Sequence, residues 1–229
     1  MAKTVAITGA GGALAAAVID LFKAEGWHLA LLVHSDSEKV RLEQTYPEAI
    51  VVRVDLGTEA QANEAIQTVQ SQSGAIDVLL NIAGGFSLNK AVETSAEDLN
   101  KQLTINLWTV FNATRAVLDG MLEHGSGFIL GVGAAAALNG GSKMGPYAAS
   151  KAAMSAYLKS VAAELEGKGI GVGVLYPMGA IDTPGNRKAM PDADPESWIN
   201  ARELAETILL MVTRSKRGRV REVKIYPPA

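Results

Sequence analysis

Tyr147 and Lys151, in Tyr147-Ala148-Ala149-Ser150-Lys151, stand four residues apart, so a helix makes neighbours of a phenol and an ammonium. A free phenol titrates near pH ~10 and is a poor acid or base at neutral pH unless a nearby cation stabilises the phenolate. Lys151 can supply that charge, which would make the pair a proton donor with its adjuster beside it. On its own the pair equally suits an amphipathic helix surface, and the rest of the chain has to decide.

A second group of residues suits a phosphate. Thr8-Gly9-Ala10-Gly11-Gly12-Ala13-Leu14-Ala15 follows a strand-like run and opens a helix-like one, the setting that a phosphate-binding turn requires. Gly9 permits the tight turn and Gly12 lets the backbone approach a pyrophosphate. The helix entry at Ala13 and Leu14 supplies free amides and a partial positive charge, and Ala15 is small enough to lie against a sheet. The alternative is a glycine-rich helix entry with no ligand.

The end of the second strand normally reads an adenosine ribose, with an acid for the 2′-hydroxyl of NAD or a basic residue for the 2′-phosphate of NADP. Here the strand ends Leu32-Val33-His34-Ser35-Asp36. Val33 falls where the acid is expected and His34 where a base would go, which favours NADP; Asp36, a short shift away, leaves NAD open. Asp55-Leu56 suits an adenine contact or a turn before a helix. Asn81-Ile82-Ala83-Gly84-Gly85 leaves room for a ribose, or serves turn geometry alone.

These groups need a scaffold that brings strand ends together. Apolar runs at Thr4-Ile7, Leu29-Val33, Ile50-Val54, Val78-Leu80, Phe128-Val132 and Gly171-Leu175 alternate with helix-period segments, the pattern of successive βαβ units. The runs are continuous rather than alternating, so the strands are buried on both faces. The expectation is an α/β, Rossmann-type doubly wound parallel sheet with helices on both faces, one domain over residues 1–229. Thr58 to Gln61 and Asn200 to Glu203 resemble capping boxes and start helices near 59 and 201. Long helices are expected over Ala96 to Leu122 and Met144 to Glu166. Pro177 to Ile199, rich in Pro, Gly and Asp, reads as a functional loop or lid.

Composition narrows the function classes. A net charge of −3 over 229 residues argues against a nucleic-acid surface, and the basic run Arg214 to Arg219 reads as a solvated turn. There is no cysteine, and the three histidines, His28, His34 and His124, lack metal-ligand spacing, so no metal site is expected. No apolar stretch approaches the ~20 residues that span a bilayer, and the N-terminus lacks signal-peptide character; a cytoplasmic protein without membrane partners is expected.

With the glycine turn, the Asn81 to Gly85 segment, Asn106 and the Tyr147/Lys151 pair in order on successive βα units, the chain resembles the short-chain dehydrogenase/reductase family over essentially its whole length. The resemblance implies that Tyr147 is the general acid/base, that Lys151 lowers its pKa and holds the nicotinamide ribose, and that Asn106 supports a proton-relay water. It also implies cofactor contacts at Pro177 and Thr183 and a homodimer or homotetramer built on the two long helices. The family's serine, thirteen residues before the tyrosine, is Ala134 here. A methyl donates no hydrogen bond to a carbonyl, so the substrate needs only Tyr147, or Ser142 substitutes, or the chemistry is lost. The dihydropteridine-reducing branch of the family also lacks that serine, and the segment Ile181-Asp182-Thr183-Pro184-Gly185-Asn186-Arg187-Lys188 to Trp198 is similar to it. The resemblance implies hydride transfer from NAD(P)H to a small conjugated imine or carbonyl substrate, with a generic ketone or 3-oxoacyl reductase and a non-catalytic NAD(P)-binding regulator as alternatives.

Overall fold

Strand residues that alternate in sequence feed two separate apolar layers. The computed structural model describes residues 2–228. Its strands in chain order are β1 (Thr4–Thr8), β2 (His28–Val33), β3 (Ile50–Arg53), β4 (Val78–Asn81), β5 (Gly127–Val132), β6 (Ile170–Pro177), β7 (Ile181–Asp182), β8 (Ile199–Asn200) and β9 (Glu222–Ile225). The helices are α1 (Ala13–Ala24), α2 (Asp36–Thr45), α3 (Glu59–Ser73), α4 (Ala96–Leu103), α5 (Thr109–His124), α6 (Ala135–Asn139), α7 (Gly145–Glu164), α8 (Pro184–Ala189) and α9 (Ala201–Thr213). Among the described residues, seven strands form one parallel sheet in the order β3-β2-β1-β4-β5-β6-β9, while β7 and β8 pair separately.

Val5, Ile7, Leu31, Leu80 and Leu130 point to the side covered by α1 and α9, through Val18, Phe22, Leu204 and Ile208. Ala6, Leu32, Leu79 and Ile129 point to the side covered by α3, α5 and α7, through Ile66, Val117, Met154 and Leu158. Side chains on a strand alternate between faces, so a sheet buried on both sides needs continuous apolar runs, and the six expected runs coincide with β1 to β6. The sheet is doubly wound, and the strand order reverses direction between β1 and β4. At such a switch point the loops beyond the strand ends diverge and leave a crevice.

Several local readings are corrected or extended. β9 was not anticipated, because an edge strand whose residues alternate between exposed and half-buried carries no apolar run. The polar helix α2, with only Leu42 buried, likewise lacks a stripe. The helices begin at 59 and 201, yet Thr58 makes no side-chain cap and Asn200 reaches Arg202 N without a reciprocal box. True capping boxes are Ser35/Glu38 and Ser95/Asp98. Finally, the helix expected over 96–122 is interrupted: α4 and α5 are joined by a π-helical turn, Thr104–Trp108. The segment after Pro177 is not a plain loop but carries β7, α8 and β8. In the basic turn between α9 and β9, Arg219 donates to the carbonyls of Gly169 and Ile170 and Lys216 to that of Gly125, so part of that charge is structural.

Candidate active site

The glycine turn is shaped by close approach. Gly9 has φ +64°, and a methyl on it would sit 2.6 Å from the Ala83 Cα, so both the turn and its contact with the β4 exit demand glycine. Thr8 secures the same contact, its Oγ1 accepting from the amides of Ile82 and Ala83 at 3.1 Å each. Gly12 occupies the N-cap position of α1 and offers no side chain to its opening amides. Those amides therefore face the crevice unpaired by a cap, the arrangement that receives an anion at a helix N-terminus.

A cleft of about 970 Å³ runs across the strand ends and is lined by Gly9, Gly12, Ala13 and Leu14 from the glycine turn and by Val33, His34, Asp55 and Leu56 from the second and third strand ends. Ala83 and Gly84 follow from the exit of β4, then Tyr147 and Lys151 from α7, and Pro177 from the end of β6. A separate polar hollow of about 640 Å³ between α3 and α5 holds none of the candidate residues. The two chemical groups of the sequence, phosphate turn and phenol–ammonium pair, thus share one cavity of a size suited to an extended dinucleotide. Gly84 lies where a side chain would meet the catalytic candidates: a methyl there would be 2.7 Å from Asn106 Oδ1 and 3.1 Å from Lys151 Nζ.

Lys151 is buried and its Nζ donates to the Val132 carbonyl at the end of β5, 2.9 Å away. Burial pushes its pKa down to about 8, which leaves the ammonium charged at neutral pH. Tyr147 is half-buried, and burial raises its phenol above the ordinary value. The expected lowering of the tyrosine pKa by Lys151 is therefore absent from the free protein: desolvation dominates at the phenol, and the ammonium is held against a carbonyl.

Asn106 lies in the π-helical turn, fully buried. Its Nδ2 has acceptors at Gly85 O (2.9 Å), Gln102 Oε1 (3.0 Å) and Ser150 Oγ (3.1 Å), and its Oδ1 accepts from Gly85 N at 3.0 Å. Ser150 in turn donates to Tyr147 O at 2.8 Å. The side chain thus ties the β4 exit, α4 and the turn of α7 that presents Tyr147; its two N–H groups are met by protein acceptors, while its Oδ1 keeps a second lone pair beyond the bond from Gly85 N.

Two sequence assignments move out of the cleft. Asn81 is buried at the end of β4, with Nδ2 aimed at Thr114 Oγ1 of α5 at 3.4 Å, and it lines no part of the cavity. Thr183 caps α8, its Oγ1 accepting from Asn186 N at 3.2 Å, while Gly179, Ala180, Ile181, Asn186 and Met190 face the cleft. Asp55 lines the cavity and also braces its own turn, with Oδ1 accepting from Gly57 N at 2.9 Å.

Ala134 does line the cleft near Tyr147, followed by Ala135 and Ala136, whereas Ser142 is exposed and outside it. Thr104 and Thr109 also line the cavity, but their hydroxyls donate to helix carbonyls of Asn100 and Ile105. Three further features were not anticipated. Phe86, 54% exposed, sets its ring edge-on to Tyr147 with centroids 4.9 Å apart. Leu88, Met144 and Met190 extend that apolar wall. Glu38 lines the adenosine end, signalled in the sequence only by its place three residues after Ser35. Asn89 N donates to Lys143 O at 2.8 Å, which fixes the loop carrying Phe86 against the turn before α7; Lys143 holds a left-handed φ of 62° there.

The residues fit a nicotinamide dinucleotide: uncapped helix amides over a glycine turn, a buried ammonium, and a methyl-free cradle at Gly84. Comparisons with known proteins agree. Residues 3–194 match the family model described as short chain dehydrogenase. A dihydropteridine reductase of Dictyostelium discoideum is 30% identical, over 94% of this chain and 90% of that protein. A 3-oxoacyl-[acyl-carrier-protein] reductase of Thermotoga maritima is also 30% identical, over 92% and 90%. The solved structure "ElxO with NADP Bound" superposes with a TM-score of 0.91 at 21% identity, covering 99% of this chain and 98% of that one. The chain belongs to the short-chain dehydrogenase family and is an NAD(P)-dependent oxidoreductase.

Proposed function

We propose that this reductase acts on a small conjugated imine or carbonyl compound, with quinonoid dihydropteridine the sharpest candidate. The observation that carries the reading is the one-hydroxyl acceptor end of the cleft: Tyr147 faces an apolar wall, and Ala134 stands where a second donor would polarise a ketone oxygen. A ring with its own conjugated acceptor needs a hydride and one proton and no second donor. Phe86 offers such a ring a flat apolar neighbour beside the phenol.

A bound nicotinamide dinucleotide supplies the hydride. In this reading the amides at Ala13 and Leu14 hold the pyrophosphate, Asp55 and Leu56 border the adenine, and Pro177 closes the nicotinamide end. The Lys151 ammonium bonds the nicotinamide ribose, and Tyr147 gives its phenolic proton to the substrate. The phenolate left behind is stabilised by Lys151, the one buried cation lining the cleft among the described residues. Asn106 holds Gly85 and Ser150 in register, and so acts on Tyr147 by position. His34 alone would favour NADPH.

The assay is oxidation of NADH and NADPH in the presence of quinonoid dihydropterin or a panel of simple ketones and a 3-oxoacyl thioester. Turnover of the pterin with little ketone reduction is expected. Efficient ketone or 3-oxoacyl reduction with the pterin untouched would overturn the reading, and binding without any turnover would favour a regulator. We also propose self-association along α5 and α7, on the support of Trp108, 48% exposed and stacked edge-on to Phe111, which packs against Tyr157. A monomer by sedimentation at micromolar concentration would exclude it. Among the described residues no helix is long and apolar enough to cross a membrane; we propose a cytoplasmic enzyme.

A further inference from the structure

We infer that Glu38 reads the adenosine ribose and selects NADH over NADPH. The inference rests on the cleft being a nicotinamide dinucleotide site and names the residue that chooses between the two forms. The strand end supplies no acid of its own: Val33 is 1% exposed with its side chain in the core, and His34, exposed and lining the cleft, brings an imidazole rather than a carboxylate. The fold brings a carboxylate to the same place from one helical turn later.

Glu38 is the third residue of α2 and closes the capping box with Ser35. Its Oε2 accepts from the amides of His34 (3.2 Å) and Ser35 (3.1 Å), while Ser35 Oγ accepts from Glu38 N (3.3 Å). These bonds draw the carboxylate back over the start of the helix toward the glycine turn, so that a methyl on Gly11 would overlap Glu38 Oε1. The carboxylate therefore sits between the turn that receives the pyrophosphate and the strand end that borders the adenosine. Among the described residues both of its donors go to Oε2, while Oε1 lies over Gly11 and takes neither, and Glu38 is one of the residues that line the cleft.

Of Asp36, Lys39 and Arg41, only Arg41 reaches the glycine turn. Asp36, the acid nearest the strand end in sequence, pairs with Arg53 at 3.5 Å, has a side chain 84% exposed and does not line the cleft. Lys39 pairs with Glu43 at 3.8 Å. Arg41 donates to the Gly11 carbonyl at 2.9 Å from outside the lining. A ribose hydroxyl meeting Glu38 gains a charge-assisted bond. A 2′-phosphate, carrying about −1.5 to −2 charges at neutral pH as phosphate monoesters do, meets a like charge already fixed by two backbone amides.

The test is equilibrium binding of NADH and NADPH, followed by the fluorescence of the bound reduced nicotinamide, with no turnover required. Wild type should bind NADH at least about tenfold more tightly, the scale that like-charge juxtaposition sets. Glu38→Gln keeps the capping box, which accepts an amide as well as an acid, and should shrink that preference about tenfold or more with an unchanged melting temperature. Asp36→Asn should leave the ratio where it was. Equal or tighter NADPH binding by wild type, an unmoved ratio in Glu38→Gln, or a shifted one in Asp36→Asn would each overturn the assignment while leaving the dinucleotide site intact. Failure of wild type to bind either dinucleotide would remove the cleft reading and this inference together.

Discussion

Replacing Gly84 with alanine tests whether the site depends on the close approach of Asn106 and Lys151 to Gly84. The added methyl would lie 2.7 Å from Asn106 Oδ1 and 3.1 Å from Lys151 Nζ, against an ordinary contact of 3.4 Å or more. Neither neighbour yields freely: Asn106 Oδ1 accepts from Gly85 N, and Lys151 Nζ is buried against Val132 O. Relief requires one of these bonds to break, and leaving a buried polar group unpaired costs about 1–3 kcal/mol. For a chain of this length that is a fall of about 3–10 °C in melting temperature. The catalytic loss should be larger, about 10²-fold in kcat/KM, because the displaced atoms belong to the site. Gly85→Ala is the control. Its methyl would meet only the flexible end of Ile105, so it should lose less of both. Calorimetry and steady-state kinetics on the pair decide the matter. Gly84→Ala with wild-type kinetics, or a Gly85→Ala loss of equal size, would refute the reasoning.

Tyr147→Phe should lower kcat by about 10²–10⁴-fold, the span of general acid catalysis, with the dissociation constant for the dinucleotide within a few fold, since the ring still packs on Phe86; retained turnover would remove Tyr147 from its role. Because Lys151 titrates at about 8 and is needed as the cation, kcat/KM for the dinucleotide should hold below that pH and fall as pH rises through it, and Lys151→Arg should flatten the fall. The sign for stability is opposite: between about 8 and the ordinary lysine value of 10.5 the unfolded chain holds more protons, so this group's contribution to stability rises with pH. Ala134→Ser should leave pterin reduction within a few fold and raise activity on simple ketones; no gain on ketones would show that the methyl does not set substrate class.

The sheet was legible because burial on both faces forces uninterrupted apolar strands, and β1 to β6 obey that rule. β9 and α2 escaped because an edge strand and a polar surface helix have no such constraint. Within the site, Gly9, Tyr147 and Lys151 were readable from local geometry, whose logic spans one turn or one helical repeat. Asn81 and Thr183, which do not line the cleft, show the complementary limit. Whether a residue at a strand end faces the cleft or the layer behind it depends on pleat phase and loop length, which sequence spacing does not determine to one residue. Phe86 was invisible because its role comes from a loop pinned to Lys143, and Glu38 was marked only by its place three residues after Ser35, which does not say that its capping bonds bring it to the cleft.

The π-helical turn at Thr104–Trp108 carries one more consequence. An α-helix rotates by about 100° per residue, so a single extra residue folded into one turn re-phases everything downstream by that angle. α4 packs against α7 with Gln102 buried, while α5 needs Val110, Val117 and Met121 toward the sheet. The turn works as a gearbox between those two orientations. One-residue deletions between 104 and 108 would rotate α5 out of the core and, in the same motion, swing Asn106 away from Gly85, so this stretch should be the least tolerant of length change in the whole helix pair even though its individual side chains differ little from ordinary helix residues.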